Sequence, residues 1–311
     1  MNDSRKLKKN KNNYDPLKVS KAANFGLNIY LIFLTISAIL PFLFVFIISI
    51  TDERTLALNG YSLFPEEISF DAYRLVFASG SSILKAYRVS LFITVTGVIL
   101  ALILTTLYAY ALSRQDFEFR GFFTKVSTIP MLFSGGLVAG YLVMTQFLGL
   151  KNSLWALILP LLLGTFNIII MRTYFQTSIP KALIEAATID GANEFQIFFK
   201  IVLPLSLPVL ATIGLFLTLG YWNDWYNAML YIDDLDKIPV QYLLIRIQNS
   251  TAFLASRGGQ IGGVASQAMK TLPQETLRMA IVVITTAPIA ITYPFFQRYF
   301  ISGLTLGAVK E

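Results

Sequence analysis

The chain has 311 residues, of which 55% are hydrophobic and 14% are charged, and it contains neither cysteine nor histidine. Soluble domains carry about 25% charged residues, so this composition indicates an integral membrane protein. The absence of cysteine excludes disulfides, thiolate nucleophiles and iron–sulfur ligation. The absence of histidine removes the commonest metal ligand and proton shuttle, and we expect no metal site and no enzymatic activity.

The positive charge is concentrated at the start of the chain. The net charge is +7, and residues 1–24 contain seven basic side chains, namely Arg5, Lys6, Lys8, Lys9, Lys11, Lys18 and Lys21. Because these residues directly precede an apolar run, they are typical of a cytoplasmic tail held by anionic lipid and not of a nucleic-acid-binding arm. The run itself is longer than a signal-peptide core and is followed by no small-residue cleavage site, so we expect it to be retained.

The apolar stretches predict the membrane topology. A membrane-spanning helix needs about 20 mostly apolar residues. Six stretches meet this requirement: Phe25–Ile50, Val89–Leu112, Phe122–Leu148, Leu154–Tyr174, Leu205–Ile232 and Leu277–Gln297. With the basic tail inside, an even number of spans returns the C-terminus to the cytoplasm, and the acidic segment 51–82 lies outside. We therefore predict an all-α membrane protein with six transmembrane helices and both termini in the cytoplasm.

The predicted topology divides the chain into regions. Residues 1–24 form the cytoplasmic tail, and residues 25–82 form the first transmembrane helix with an extracytoplasmic loop. Residues 83–298 form a core of five helices, and residues 299–311 form a cytoplasmic C-terminal tail. Asp224 is the one acidic side chain inside the predicted spans. Because ion-coupled transporters place ionisable groups in the bilayer, intrinsic ion coupling is not expected, and energy for any uphill transport must come from elsewhere.

A charged segment, residues 175–204, interrupts the apolar spans on the cytoplasmic side. Pro180 is suited to the start of a helix, Lys181–Ile189 contains good helix formers, and Gly191 is suited to a sharp turn. A second short helix is predicted over Ala192–Val202, with one apolar face made of Phe195, Phe198, Phe199 and Val202. On this pattern alone, an amphipathic surface loop with its apolar face on lipid remains an alternative.

The spacing within residues 175–204 is more specific than its amphipathic pattern. The segment contains Glu185-Ala186-Ala187, then Gly191 four positions later, then Ile201 and Leu203-Pro204, where the second helix is expected to stop. This combination closely resembles the EAA loop of type I ATP-binding-cassette (ABC) importer permeases, and the resemblance extends from Val89 to the C-terminus. It implies the type I importer fold. It also implies that residues 175–204 form a coupling segment that docks on a separate ATPase. The docking residues would be Glu185, Ala186, Ala187, Asp190, Gly191, Phe195, Leu203 and Pro204.

Two further stretches resemble the carbohydrate branch of that family. Residues 221–229 resemble a subgroup for complex or acidic oligosaccharides, which makes Trp222, Asn223, Asp224, Trp225 and Asn227 candidates for the translocation path. Aromatic faces can stack on sugar rings, and amide or carboxylate groups can bind hydroxyls. An aromatic belt at the outer membrane interface is the alternative. The tail resembles maltose-G-type subunits, which implies ATPase contacts by Gly303, Leu304, Thr305 and Gly307, with a frayed terminus as the alternative.

The resemblance also implies the assembly and its location. We expect a multi-pass cell-membrane permease subunit that forms half of a translocation path with a second, unlike permease. Two ATPase subunits would bind ATP and Mg, an extracytoplasmic solute-binding protein would deliver oligosaccharide, and this chain would bind no cofactor, metal or nucleic acid. The alternatives are an ABC permease for a non-sugar solute and an ATP-independent channel or carrier. A membrane enzyme is disfavoured by the missing histidine and cysteine.

Overall fold

The computed structural model describes residues 20–78, 80–257 and 275–308. Residues 1–19, which carry most of the predicted basic tail, lie outside the described residues. In the described part of the chain, almost all ordered backbone is helical, and β pairing is limited to an isolated bridge between Thr51 and Ile68. The prediction of an all-α fold is therefore confirmed.

The helices follow one another with short connections. In chain order they are α1 (Lys21–Ser49), α2 (Glu53–Asn59), α3 (Asp71–Ala78), α4 (Gly80–Ser113), α5 (Arg120–Leu132), α6 (Gly136–Phe147), α7 (Trp155–Leu161), α8 (Thr165–Ser178), α9 (Lys181–Ile189), α10 (Glu194–Leu205), α11 (Leu207–Trp222), α12 (Tyr226–Tyr231), α13 (Val240–Arg257) and α14 (Glu275–Ala308). Helix α6 ends in a π turn, α7 ends in a 3₁₀ turn, and α10 contains a π turn at Phe198–Val202.

Three helices, and three bent pairs of helices, are candidates for membrane spans. Helices α1, α4 and α14 are each long and apolar enough to cross a membrane. The pairs α5–α6, α7–α8 and α10–α11 each have the length and composition of one span, but they bend by 118°, 47° and 76°. The described residues thus provide up to six spans, as predicted. The fifth span differs from the predicted stretch Leu205–Ile232 at both ends. The pair α10–α11 begins at Glu194, within the segment predicted to be cytoplasmic, and it ends at Trp222, after which the chain forms a separate short helix, α12.

Helix α4 lies at the centre of the bundle. It packs along α8 and α11, while α1 packs against α14. Ala101 and Ala109 on α4 are fully buried, and Gly97 leaves room for the ring of Tyr221 on α11. The Tyr221 hydroxyl in turn donates to the carbonyl of Ile158, 2.9 Å away, where α7 tightens into its 3₁₀ turn. Tyr221 therefore links α11 to α7 where it packs against α4.

Polar contacts join the segments predicted to lie outside the membrane. The Glu53 carboxylate accepts hydrogen bonds from the backbone N–H groups of Glu275 and Thr276, at 3.0 and 2.9 Å, and so caps the start of α14. Lys151 pairs with Asp233 at 3.2 Å. The neighbouring Asp233 and then Tyr141 raise the pKa of the Lys151 ammonium group above its ordinary value. These contacts tie the loops between spans into one surface at this end of the bundle.

Candidate functional site

The first half of the coupling segment folds as its sequence predicts. Pro180 precedes the helix in an extended conformation, and α9 spans Lys181–Ile189. Gly191 follows with φ +81°, a left-handed conformation that glycine adopts without strain. The N–H of Gly191 bonds the carbonyl of Thr188 at 3.1 Å, and the N–H of Ala192 bonds that of Ala187 at 2.9 Å. This is the Schellman arrangement, and it confirms Gly191 as the turn that sets the direction of the second helix.

The second half of the coupling segment departs from the prediction at both ends. Asn193 and Gln196 form a capping box, with reciprocal side-chain to backbone bonds of 2.9 and 3.0 Å. Helix α10 therefore begins at Glu194 and not at Ala192. The predicted stop at Pro204 is also wrong, because the helix passes through a π turn and ends at Leu205, one residue beyond the proline.

The predicted apolar face of the second helix is divided in the structure. Phe198 and Val202 are buried in the main core, whereas Phe195 is 75% exposed and Phe199 is 56% exposed. The π turn changes the angular spacing between these residues, so intervals that suit an α-helix no longer place them on one side. The prediction of a single apolar face is therefore wrong.

The Glu-Ala-Ala motif also has an inner and an outer side. Ala187 packs against the core, while Glu185 and Ala186 are exposed. Ile189, at the end of α9, is 86% exposed. Of the other predicted coupling residues, Asp190 and Pro204 are exposed and Leu203 packs against the core.

An open cavity borders the exposed side of α9. Its volume is about 830 Å³, and its wall includes side chains of α9 and of the loop after α4, among them Glu185, Thr188, Ile189, Arg114 and Asp116. Because both apolar and charged groups line it, the cavity can accept a partner surface that combines an apolar contact with ion pairs.

An ion-pair network holds the coupling segment to the end of α4. Arg114 contacts a Glu194 carboxylate oxygen at 2.8 Å and Asp116 at 3.1 Å. The Tyr110 hydroxyl donates to the other Glu194 oxygen at 2.7 Å, and its ring lies 5.0 Å from that of Phe198. The sequence pattern did not predict this network. The available signal was charge complementarity between two segments assigned to the same side of the membrane.

The candidate path residues occupy different environments. Trp222 is buried, and its indole N–H donates to the carbonyl of Thr285 at 3.1 Å. Asp224 accepts bonds from the backbone and side-chain nitrogens of Asn227, at 3.1 and 2.8 Å, and these bonds start α12. Asn223 and Trp225 are exposed. The structure therefore places three candidates in packing or capping contacts and leaves two accessible, and a substrate contact by any of them stays a prediction.

The C-terminal candidates are described only by their backbone. Gly303, Leu304, Thr305 and Gly307 lie in the last turns of α14, and their side-chain surroundings fall outside the described part of the structure. Their predicted contact with an ATPase stays a prediction.

Comparisons with known proteins agree with this arrangement. The family model described as "binding-protein-dependent transport system inner membrane component" matches residues 93–306. The polygalacturonan/rhamnogalacturonan transport system permease protein YtcP of Bacillus subtilis is 40% identical, covering 90% of this chain and 96% of that protein. The arabinooligosaccharides transport system permease protein AraQ of Halalkalibacterium halodurans is 30% identical over 94% of this chain and 99% of that protein.

A solved structure has the same fold. A chain from the crystal structure of a bacterial ABC transporter involved in the import of the acidic polysaccharide alginate superposes with a TM-score of 0.77. The sequence identity is 31%, and the match covers 91% of this chain and 99% of that one.

Proposed function

This chain belongs to the family of binding-protein-dependent transport system inner membrane components, and on that premise we propose that its coupling segment docks on an ATPase that drives oligosaccharide import. As a member of that family it is a multi-pass membrane permease and a transport component. In our proposal it forms half of a translocation path with a second, unlike permease subunit. Two ATPase subunits carry ATP and Mg, and both termini of this chain lie in the cytoplasm.

The observation that carries the docking proposal is the exposure of large apolar side chains beside a charged motif. Ile189 and Phe195 flank the Gly191 turn and are 86% and 75% exposed. Isolated exposed apolar residues are ordinary, but these two lie in the same short segment as the small, exposed Ala186 and the exposed carboxylate of Glu185. Glu185 and Ile189 also line the open cavity. Such a surface suits a partner that buries the apolar groups and pairs with the carboxylate.

The contacts of the coupling segment support its role in transmitting motion. Its α10 part is held to α4 by Glu194 and passes into α11 across a single residue, Ser206. A rigid displacement of the docked segment would therefore be transmitted to two spans of the bundle. ATP-driven closure of the ATPase pair supplies that displacement, and the spans respond by alternating access.

The substrate proposal is an acidic oligosaccharide. It is supported by two similar proteins: YtcP is a polygalacturonan/rhamnogalacturonan transport permease, and the solved transporter imports the acidic polysaccharide alginate. Polygalacturonan, like alginate, is an acidic polysaccharide. A solute-binding protein delivers the oligosaccharide from outside. Asn223 and Trp225 are the path candidates that remain exposed for contact.

The test is reconstitution of this chain with its partner permease, ATPase and solute-binding protein in proteoliposomes. We expect oligogalacturonide uptake that depends on ATP and on the binding protein. The Glu185→Lys variant should insert normally and lose both stimulated hydrolysis and uptake. Glu118→Lys, which reverses an exposed charge outside the coupling segment, is the control and should keep both. Full activity of Glu185→Lys would reject the docking proposal, and uptake of neutral sugars alone would reject the substrate class.

A further inference from the structure

The last span contains a proline that disrupts its hydrogen bonding. Pro288 lies inside α14 and has no backbone N–H. In a regular helix that N–H would bond the carbonyl of Ile284, one turn earlier. Within a membrane no bulk water is available to replace the lost donor. The carbonyl of Ile284 therefore needs a donor from a neighbouring helix.

Two side chains from different helices supply donors at this point. The hydroxyl of Tyr87, on α4, donates to the carbonyl of Ile284. The indole N–H of Trp222, at the end of α11, donates to the adjacent carbonyl of Thr285 at 3.1 Å. The two rings lie 6.0 Å apart, and Trp222 is 6% exposed. The contact is therefore a packed cluster in which α4 and α11 both hold α14 at its proline break.

We propose that Tyr87 and Trp222 form a clasp that positions the last span during transport. Helices α4 and α11 are two of the helices to which the coupling segment is joined, through Glu194 and across Ser206. The clasp extends this linkage to α14, so that the proline break moves together with the two helices displaced by the ATPase. The inference rests on the proposed transport function, and it makes Trp222 a positioning residue instead of a sugar contact.

The chemistry of the break provides a direct test for Tyr87. Replacing Pro288 by alanine restores an N–H that can bond the Ile284 carbonyl within the helix, and the Tyr87 hydroxyl then becomes dispensable. The experiment compares Tyr87→Phe with and without Pro288→Ala in the reconstituted complex, and measures uptake per ATP together with membrane abundance and melting temperature. Tyr293→Phe, which removes a hydroxyl from an exposed tyrosine of α14, is the matched control.

We expect Tyr87→Phe alone to lower uptake per ATP by roughly tenfold, because a buried carbonyl loses its donor. In the Pro288→Ala background the same change should have less than a roughly twofold effect. Provided that the wild-type complex takes up oligosaccharide, two results would overturn the clasp. One is an equal loss of uptake per ATP from Tyr87→Phe with and without Pro288→Ala, and the other is no loss from Tyr87→Phe alone. Absence of wild-type uptake would overturn the proposed function, and the clasp with it.

Trp222→Phe separates positioning from sugar binding. This change keeps an aromatic face for stacking, but it makes the ring smaller and removes the N–H that reaches Thr285. If Trp222 positions α14, the maximal uptake rate falls and the KM for oligosaccharide is unchanged. If KM rises while the maximal rate is preserved, Trp222 contacts the substrate, and its proposed role in the clasp is wrong.

Discussion

The turn at Gly191 offers a perturbation whose effect can be worked from the structure. Its φ is +81°, and a Cβ added there would meet no atom within 4 Å. The Cβ of a substituted residue therefore makes no clash, and its cost lies in the backbone conformation. Side chains other than glycine disfavour the left-handed region by about 1–2 kcal/mol, whereas asparagine tolerates it better and β-branched residues worse. The loss of activity should therefore be smallest for Gly191→Asn, larger for Gly191→Ala and largest for Gly191→Val.

The size of the effect follows from the shift in turn population. A change of about 1–2 kcal/mol alters the ratio of correct to incorrect turns by roughly 5- to 30-fold. Because the turn orients α9 relative to α10, we expect ATPase stimulation and uptake to fall by a comparable factor in Gly191→Val. Membrane insertion should be unaffected, since the turn lies between the spans. Both activities are measured in proteoliposomes at matched protein abundance.

The matched control is Gly121→Ala. Gly121 lies in α5 without a positive φ, and its added Cβ would also meet no atom within 4 Å. Alanine in a helix is favoured over glycine by about 0.5–1 kcal/mol, so this variant should be neutral or slightly stabilised. If Gly191→Val kept wild-type uptake per ATP, or if Asn proved as damaging as Val, the reasoning from turn conformation would be refuted.

Two further predictions concern packing and charge. Gly97→Ala places a Cβ 2.5 Å from the Tyr221 ring, so it should lower the free energy of unfolding by about 1–3 kcal/mol, measured by a thermal melt in detergent. The control is Gly140→Ala, whose Cβ meets nothing within 4 Å and which should not lower the free energy of unfolding. Arg114→Gln and Glu194→Gln should each reduce stimulated ATPase activity. In a double-mutant cycle on stability, the coupling energy of this pair should be roughly 0.5–1 kcal/mol, because the pair is partly exposed. Strictly additive effects of the two substitutions would argue against the contact.

The candidate spans could be predicted from the sequence because they depend on the hydrophobicity of consecutive residues. The free energy of transferring about 20 apolar residues into lipid is the sum of the contributions of the individual residues, which can be read from the sequence. The stretches with a favourable sum correspond to the long helices and bent helix pairs of the fold. The bends themselves were missed. The 118° change of direction between α5 and α6 occurs where Gly136 has φ +78°, and an apolar average does not record backbone direction.

Local geometry was predicted where short-range rules decide it. Helix α9 and the Gly191 turn depend on neighbouring residues and have the predicted bounds. The single apolar face was wrong because the π turn at Phe198–Val202 breaks the 3.6-residue period on which the prediction relied. The Arg114–Glu194 pair joins residues distant in sequence, so only the packing of α4 against α10 brings them together.

The role of Trp222 could not be decided from its neighbours in the chain. An aromatic and polar stretch near a span end is compatible with an interfacial belt, a sugar contact or helix packing. The structure places the Trp222 indole against Thr285, a partner in a distant span, and that contact depends on the tertiary arrangement.

The most direct test of the account is a cross-link between the coupling segment and the ATPase. The chain contains no cysteine, so Ala186→Cys introduces a single thiol on the exposed side of α9. When a bis-maleimide cross-linker is added to the assembled complex, it should link this thiol to the thiol of a single-cysteine ATPase subunit. Leu58→Cys, at an 83% exposed position in a segment predicted to lie outside, should form no such link. An assembled, ATP-hydrolysing complex in which no ATPase position cross-links to Ala186→Cys would contradict the account.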